Sequence, residues 1–428
     1  MNLAPGVDSV GIHPFLLVLL ACGLERLLGD PPGWPHPVVV MGWWINRLRR
    51  LAEAWAGDRP WALRLAGFGI TGLLVGGSAL AGWGLEQLAR VWPALGLPLL
   101  LVGLASALAG RSLEQAVLAV LAVLPEDVGP KQVGPKQVGP KQVGPKQVGP
   151  KQVGPKQVVL QPQAPRPAGP KPGLGEPQAP EPGALQPGPL EPARQRLAWF
   201  VGRDTADLDR AGILRAAAES ASENAVDGLF GPLFWMLVGA ALLLAGNGNG
   251  GSTGFAGVPG FTNFDGVAAG NLGALAGPGP LALAWAYKAS STLDSMLGYR
   301  RGRLLWLGTA GARLDDLLTW LPCRLVALGL PLAAGQPCHT WRLFHAALAD
   351  GAPDPSPNAG VSQAAYAHAV GVQLGGANRY GGQWRQKPLL AQGQAPADRG
   401  AILKILALSR RLEALWLAAA LGVAWAWL

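Results

Sequence analysis

Apolar stretches recur along this chain and are separated by short polar blocks. Residues 14–28 read as a helix that is short for a membrane span, ending at Gly29-Asp30-Pro31-Pro32. Pro31, Pro32, Pro35 and Pro37 fall within seven residues, so the next stretch is a shaped loop that carries Asp30 and His36. Over 43–53, Trp43, Trp44, Ile45 and Leu48 interleave with Arg47, Arg49 and Arg50, the pattern of an amphipathic interfacial helix. Residues 62–85 and 93–110 read as transmembrane helices rich in small residues, and 111–124 as an amphipathic helix. Further on, 191–199 and 205–227 read as helical, the second with Thr205 as its N-cap. Apolar runs follow at 229–246, 281–288, 317–334 and 412–428. By length this predicts about five to seven spans. The fold class expected is therefore an all-α, polytopic integral membrane protein.

Two segments break the pattern. From Gly129 to Val158 the pentapeptide Gly-Pro-Lys-Gln-Val repeats six times without variation, and residues 159–190 are dominated by Pro, Gly, Gln and Ala. Proline every fifth residue forbids a helix, and the segment has no aromatic side chain with which to build a core. It is expected to be a disordered, low-complexity insertion over 127–190, dividing N-terminal membrane helices (1–126) from a second membrane domain (191–428). Within the latter, 247–280 is rich in Gly and Asn and is expected to be a flexible loop.

Composition supports the membrane reading. Half of the 428 residues are hydrophobic, only 14% are charged, mean hydropathy is +0.24 and there are 17 tryptophans. The net charge of +9 is spread between apolar runs, which suits orientation signals rather than nucleic-acid binding. Cys22, Cys323 and Cys338 are scattered, so neither a zinc site nor a disulfide framework is indicated.

Because charge is scarce, its clusters stand out. Glu219, Glu223 and Asp227 are spaced i, i+4, i+8, which stacks three carboxylates on one helical face where they repel. A metal ion, or a cationic or phosphorylated substrate, would relieve that repulsion. The spacing also fits a solvated face beside a membrane anchor. Lys288, Asp294 and Arg300 form a second cluster, and Arg313, Asp315 and Asp316 a third. Ionisable groups at membrane edges often mark function, but snorkelling lysines, surface ion pairs and orientation signals give the same pattern. Gly375-Gly376 and Gly381-Gly382 flank Asn378 and Tyr380, a backbone suited to cradling phosphate or to making turns. The chain contains no Walker A motif, dinucleotide fingerprint or G-x-S-x-G elbow.

Several blocks, in order, resemble the CobD/CbiB family of cobalamin biosynthesis, the adenosylcobinamide-phosphate synthases. They are Gly29-Asp30-Pro31-Pro32 with His36-Pro37-Val38; Val201-Gly202-Arg203-Asp204-Thr205; Glu219-Ser-Ala-Ser-Glu223-Asn224-Ala-Val-Asp227-Gly228; Tyr287-Lys288-Ala with Thr292-Leu-Asp294-Ser295; Ala312-Arg313-Leu-Asp315-Asp316; Ser356-Pro357-Asn358-Ala359-Gly360; and the Gly375 to Gly382 loop. Residues 127–190 and 247–280 stand as insertions relative to that pattern.

The resemblance implies that a propionate of adenosylcobyric acid, a corrinoid, is joined as an amide to (R)-1-amino-2-propanol or its phosphate ester. Amide formation from a carboxylate needs activation, normally by ATP, and Mg²⁺ held by the acidic ridge is expected to carry phosphate, so Mg²⁺ and ATP are the expected cofactors. Glu219, Glu223, Asp227, Lys288 and Asp294 are then the expected catalytic residues. Metal ligands are expected from Glu219, Glu223, Asp227, Asp315 and Asp316. Substrate contacts are expected from Asp30, His36, Arg203, Asp204, Asn224, Arg300, Arg313, Asn358, Asn378 and Tyr380. The expected setting is the lipid bilayer of the inner membrane, with the polar blocks cytoplasmic and other corrinoid-pathway enzymes as partners. A transporter or sensor using the acidic ridge as an ion site, or an assembly protein for the pathway, is the alternative.

Overall fold

The computed structural model describes residues 13–30, 36–125, 188–247 and 277–426. The repeat segment, most of the Gly/Asn stretch and Pro31 to Pro35 lie outside the described residues. Five helices fill the N-terminal part: α1 (Pro14–Leu28), α2 (Pro37–Ala56), α3 (Pro60–Val91), α4 (Pro93–Ala105) and α5 (Gly110–Val123). Then come α6 (Glu191–Leu197), α7 (Arg210–Ala225), a π-helical turn (Val226–Phe230) and α8 (Gly231–Asn247). After them lie α9 (Pro280–Leu297), α10 (Leu304–Leu307), α11 (Thr309–Ala333), α12 (Thr340–Gly351) and α13 (Ala359–Val370). Strands β1 (Val372–Tyr380), β2 (Gln383–Leu390) and β3 (Ala395–Pro396) precede the final helix α14 (Arg399–Ala426).

Proline opens α1, α2, α3, α4 and α9, at the position where its missing N–H costs nothing. Its fixed φ thus turns the punctuation of the sequence into helix starts. Three helical runs are long and apolar enough to cross a membrane: Pro60–Val91, Arg210–Ala245 and Thr309–Ala333. The expected span at 93–110 is instead the pair α4 and α5, bent by 41°, which makes a fourth if the two cross as one. Residues 412–426 do not form a separate helix. They belong to α14, whose first half carries Arg399, Lys404, Arg410 and Arg411.

Helix α9 lies at the centre, packed on α2, α3, α8 and α11. At Gly82 of α3 an added Cβ would lie 2.9 Å from the backbone of Ala282. Only glycine allows α3 and α9 to touch there, a close approach typical of membrane helices. The buried Glu86, one turn further along α3, accepts hydrogen bonds from Gly279 N (2.8 Å), Leu281 N (2.7 Å) and Ala282 N (3.2 Å). A carboxylate thereby caps the first amides of α9, where the helix dipole favours negative charge.

The all-helical expectation is corrected at one place. Residues 372–396 form a three-stranded sheet in the order β2-β1-β3, with β1 antiparallel to β2 and parallel to β3. Gly381 and Gly382, both at positive φ, are the hairpin turn, and Tyr380 pairs with Gln383 across it. Thr205 is not the cap of α7. Asp209 takes that place, accepting from Gly212 N at 2.7 Å.

Candidate active site

The acidic ridge is laid along α7 and its π-helical turn, and its two ends meet different surroundings. Glu219 is fully buried. Its Oε2 accepts from Arg203 Nη2, and its Oε1 from the Gly375 amide at 2.8 Å. Arg203 also donates to Asn378 Oδ1 at 2.7 Å, while Arg215 donates to Ala377 O at 2.8 Å. Asp204 receives Gly381 N (3.0 Å) and Gly382 N (2.7 Å), and its own amide donates to Arg379 O. The Val201 to Thr205 block thus clamps the glycine hairpin onto α7. At Gly375 (φ +86°) an added Cβ would collide with Pro388 O across the hairpin, at the register shift between Gly375 and Gly376. These glycines serve the close approach of backbone to backbone. Glu219, Arg203 and Asp204, expected as catalytic, ligand or substrate positions, are engaged here in holding the hairpin to α7.

The other end is left open. Asp227, inside the π-helical turn, is an electrostatic neighbour of Glu223, Asp294, Asp316 and Lys288. Lys288 faces Asp227, Asp30 and Asp315. The structure therefore brings members of all three charge clusters near one another: Asp227 of the π-helical turn, Lys288 and Asp294 of α9, and Asp315 of α11. No hydrogen bond from a described residue reaches the carboxylates of Asp227 or Asp294, and Asp315 Oδ1 is buried with no hydrogen-bond partner. Asp294, near the C-terminal end of α9, is pushed up to about 6 by burial and then by the negative charges of Asp316 and Glu223. Breaks in helical regularity of the π type often sit at functional sites.

The loop after α1 comes to the same place. Asp30 Oδ2 accepts from Ser112 Oγ at 2.6 Å, and Asp30 Oδ1 lies 3.3 Å from His36 Nε2. His36 Nδ1 accepts from Val38 N at 3.3 Å as the cap of α2, which leaves the ring proton on Nε2, facing Asp30. That contact, with the Ser112 bond, holds Asp30 below the usual carboxylate range despite partial burial.

Of the remaining expected residues, Asn358 precedes α13 without a side-chain cap bond; its Oδ1 accepts from Arg324 Nη1 (2.5 Å) and its Nδ2 donates to Asp316 O (2.9 Å). Asn378 keeps a buried, unpartnered Nδ2. Arg385 lies over the Tyr380 ring at 5.7 Å, and Asn224 is half-buried on α7. Arg300 is exposed, and Arg313 is 75% exposed with Nη1 4.0 Å from Asp316. Both stand at the rim, beside Asp316.

Sequence reasoning missed Arg324, although it is the lone charge within the apolar run 317–334, which is itself a signal. Gln363 and Lys387 carried no signal. Gln363 Nε2 donates to Glu223 Oε2 at 2.7 Å, and Lys387 Nζ lies 3.2 Å from Asp354 Oδ2. Burial favours the neutral amine of Lys387, but the carboxylates of Glu223 and Asp354 outweigh it and hold the ammonium above its usual range.

Among the described residues no three His, Cys, Asp or Glu side chains converge as a metal shell. The expected set of Glu219, Glu223, Asp227, Asp315 and Asp316 is therefore not one preformed site.

A profile of the CobD/Cbib protein family matches residues 18–133 and 182–409. The chain belongs to the CobD/CbiB family. The gap in the family match falls within the repeat segment, whereas the match runs through the Gly/Asn stretch. Cobalamin biosynthesis protein CobD of Synechocystis sp. is 34% identical over 93% of this chain and 89% of its own length. The CobD protein of Chromobacterium violaceum is 32% identical over 96% of both chains. Cobalamin biosynthesis protein CbiB of Salmonella typhi is 30% identical over 95% of this chain and 94% of its own. No solved structure matches the chain.

Proposed function

We propose that this chain acts in cobalamin biosynthesis as a multi-pass inner-membrane enzyme, joining a propionate of adenosylcobyric acid as an amide to 1-amino-2-propanol or its phosphate ester. Family membership supports the pathway. The observation that carries the chemistry is the gathering of Lys288 with Asp227, Asp294, Asp315 and Asp30 from separate parts of the sequence. Among the described residues no hydrogen bond reaches the carboxyl groups of Asp227 or Asp294, and Asp315 Oδ1 has no partner, which leaves these oxygens available to substrate.

In this reading Lys288 holds an anionic oxygen of the corrinoid propionate or of a phosphate. Arg300 and Arg313 at the rim draw anionic substrate inward. Asp294, with its raised affinity for protons, takes the proton that the amine must shed to become a nucleophile. Mg²⁺ would be held by one or two of the carboxylates of Asp227, Asp315 and Asp316. Mg²⁺ with ATP would supply activation of the carboxylate. The polar blocks face the cytoplasm, where corrinoid and amine are met.

Complementation tests this. The chain is expressed in a bacterium that lacks its own cobinamide-forming enzyme and is supplied with cobyric acid, and cobinamide or its phosphate is sought by mass. Product that disappears with Asp227→Asn is expected. Absence of product from protein correctly inserted in the membrane would overturn the reading.

A further inference from the structure

Gln363 is 1% exposed on α13, and its amide is only half used. Nε2 donates to Glu223 Oε2 at 2.7 Å, whereas Oε1 is buried with no hydrogen-bond partner. The Glu223 carboxylate accepts only, so it fixes which end of the amide faces it and leaves the acceptor end free. An acceptor buried without a partner is costly, a cost that an apolar side chain at this position would avoid. Glu223 Oε1 likewise receives no hydrogen bond from a described residue.

The surroundings define what these acceptors suit. Glu223 lies in the field of two carboxyl groups, Asp227 and Asp294, and of one cation, Lys387. The nearby cation Lys387 is held by Asp354 at 3.2 Å on the β2 side. A metal ion is a poor match, because no three acidic or imidazole side chains converge here among the described residues. A primary ammonium matches well. It carries positive charge and three N–H donors and needs no donor in return.

We propose that Glu223 and Gln363 form the subsite for the amino group of the amine substrate, with the ammonium donating to Gln363 Oε1 and to the Glu223 carboxylate. This rests on the reading of the chain as an amide-forming enzyme. It places the nitrogen beside Asp294 and makes Gln363 a specificity residue that a neutral alcohol does not satisfy.

The test uses the full chain in nanodiscs with adenosylcobyric acid, 1-amino-2-propanol, ATP and Mg²⁺. Gln363→Leu is expected to raise KM for the amine about 10-fold, the loss of one hydrogen bond to a charged group, with KM for the corrinoid unchanged. Inhibition by isopropylamine should weaken in parallel, while inhibition by 1,2-propanediol should not change. An unchanged amine KM, or a shift confined to the corrinoid KM, overturns the subsite. Because the variant acts at a buried position, the wild-type chain is also labelled with a photoreactive alkylammonium. Adducts on α7 or α13 support the subsite, and adducts found only elsewhere overturn it. A wild-type chain that forms no cobinamide yet labels on α13 removes the enzymatic reading and leaves the ammonium site standing.

Discussion

Glu219 and Asp227 lie two turns apart on one helical run and carry the same kind of group, yet the fold treats them oppositely. Glu219 is sealed in, with Arg203 and the Gly375 amide on its two oxygens. Asp227 meets other carboxylates and Lys288, and receives no hydrogen bond from a described residue. A row of like charges is thus divided by its partners into one end that builds the structure and one end that stays unsatisfied. The first binds the glycine hairpin to α7. The second holds charge that the fold does not neutralise.

The largest expected effect breaks the sealed end. Glu219→Ala leaves the Arg203 guanidinium, 6% exposed, without its counter-charge. Removing one partner of such a pair costs about 3–5 kcal/mol, and thermal unfolding in detergent should show it as loss of folded protein at growth temperature. Asp227→Asn should do the reverse. Stability holds or rises because a repulsion is removed, while cobinamide formation falls about 100-fold or more. A stable Glu219→Ala protein, or an unstable Asp227→Asn one, breaks the contrast.

The pH dependence sharpens it. In the unfolded chain Asp294 ionises near ~4, but in the fold it keeps its proton to about 6. Between these values the unfolded chain loses the proton first, so this group lowers stability as pH rises through that window and adds no further change above it. Melting of wild type and Asp294→Asn between pH 4 and 8 checks this through their difference, which should grow in favour of the variant up to about pH 6 and then level. Asp30 has the opposite sign. Its carboxyl is held low, so its contribution is present above the usual carboxylate range and is lost as pH falls through its folded value. Ser112→Ala, which removes one of its hydrogen bonds, should cost about 1 kcal/mol. Deleting residues 134–158 should change neither activity nor melting, since the family match is broken there.

The helices were legible because proline starts and apolar runs act locally. The i, i+4, i+8 spacing correctly put three carboxylates on one run, but spacing reports only what lies along a helix. Which of them meets Arg203 and which meets Lys288 depends on α9, α11 and a hairpin far away in sequence. That hairpin was missed because Gln373-Leu-Gly-Gly-Ala-Asn lacks β-branched residues. The signal present was Gly381-Gly382 set between two segments of strand length, a two-residue turn. Thr205 and Asp209 are both good caps, and only the hairpin contacts of 201–205 decided between them. Gln363 was invisible because its meaning lies in one unsatisfied atom.

The cap that Glu86 places on α9 has a consequence for how this chain can change over time. The first amides of α9 are fastened to α3, so the helix is seated from a neighbour rather than from the segment that leads into it. Lys288 and Asp294 stand about two and four turns beyond that fastening. A gain or loss of residues ahead of Gly277 is therefore taken up before the fastening point, and the register of Lys288 and Asp294 downstream is inherited intact.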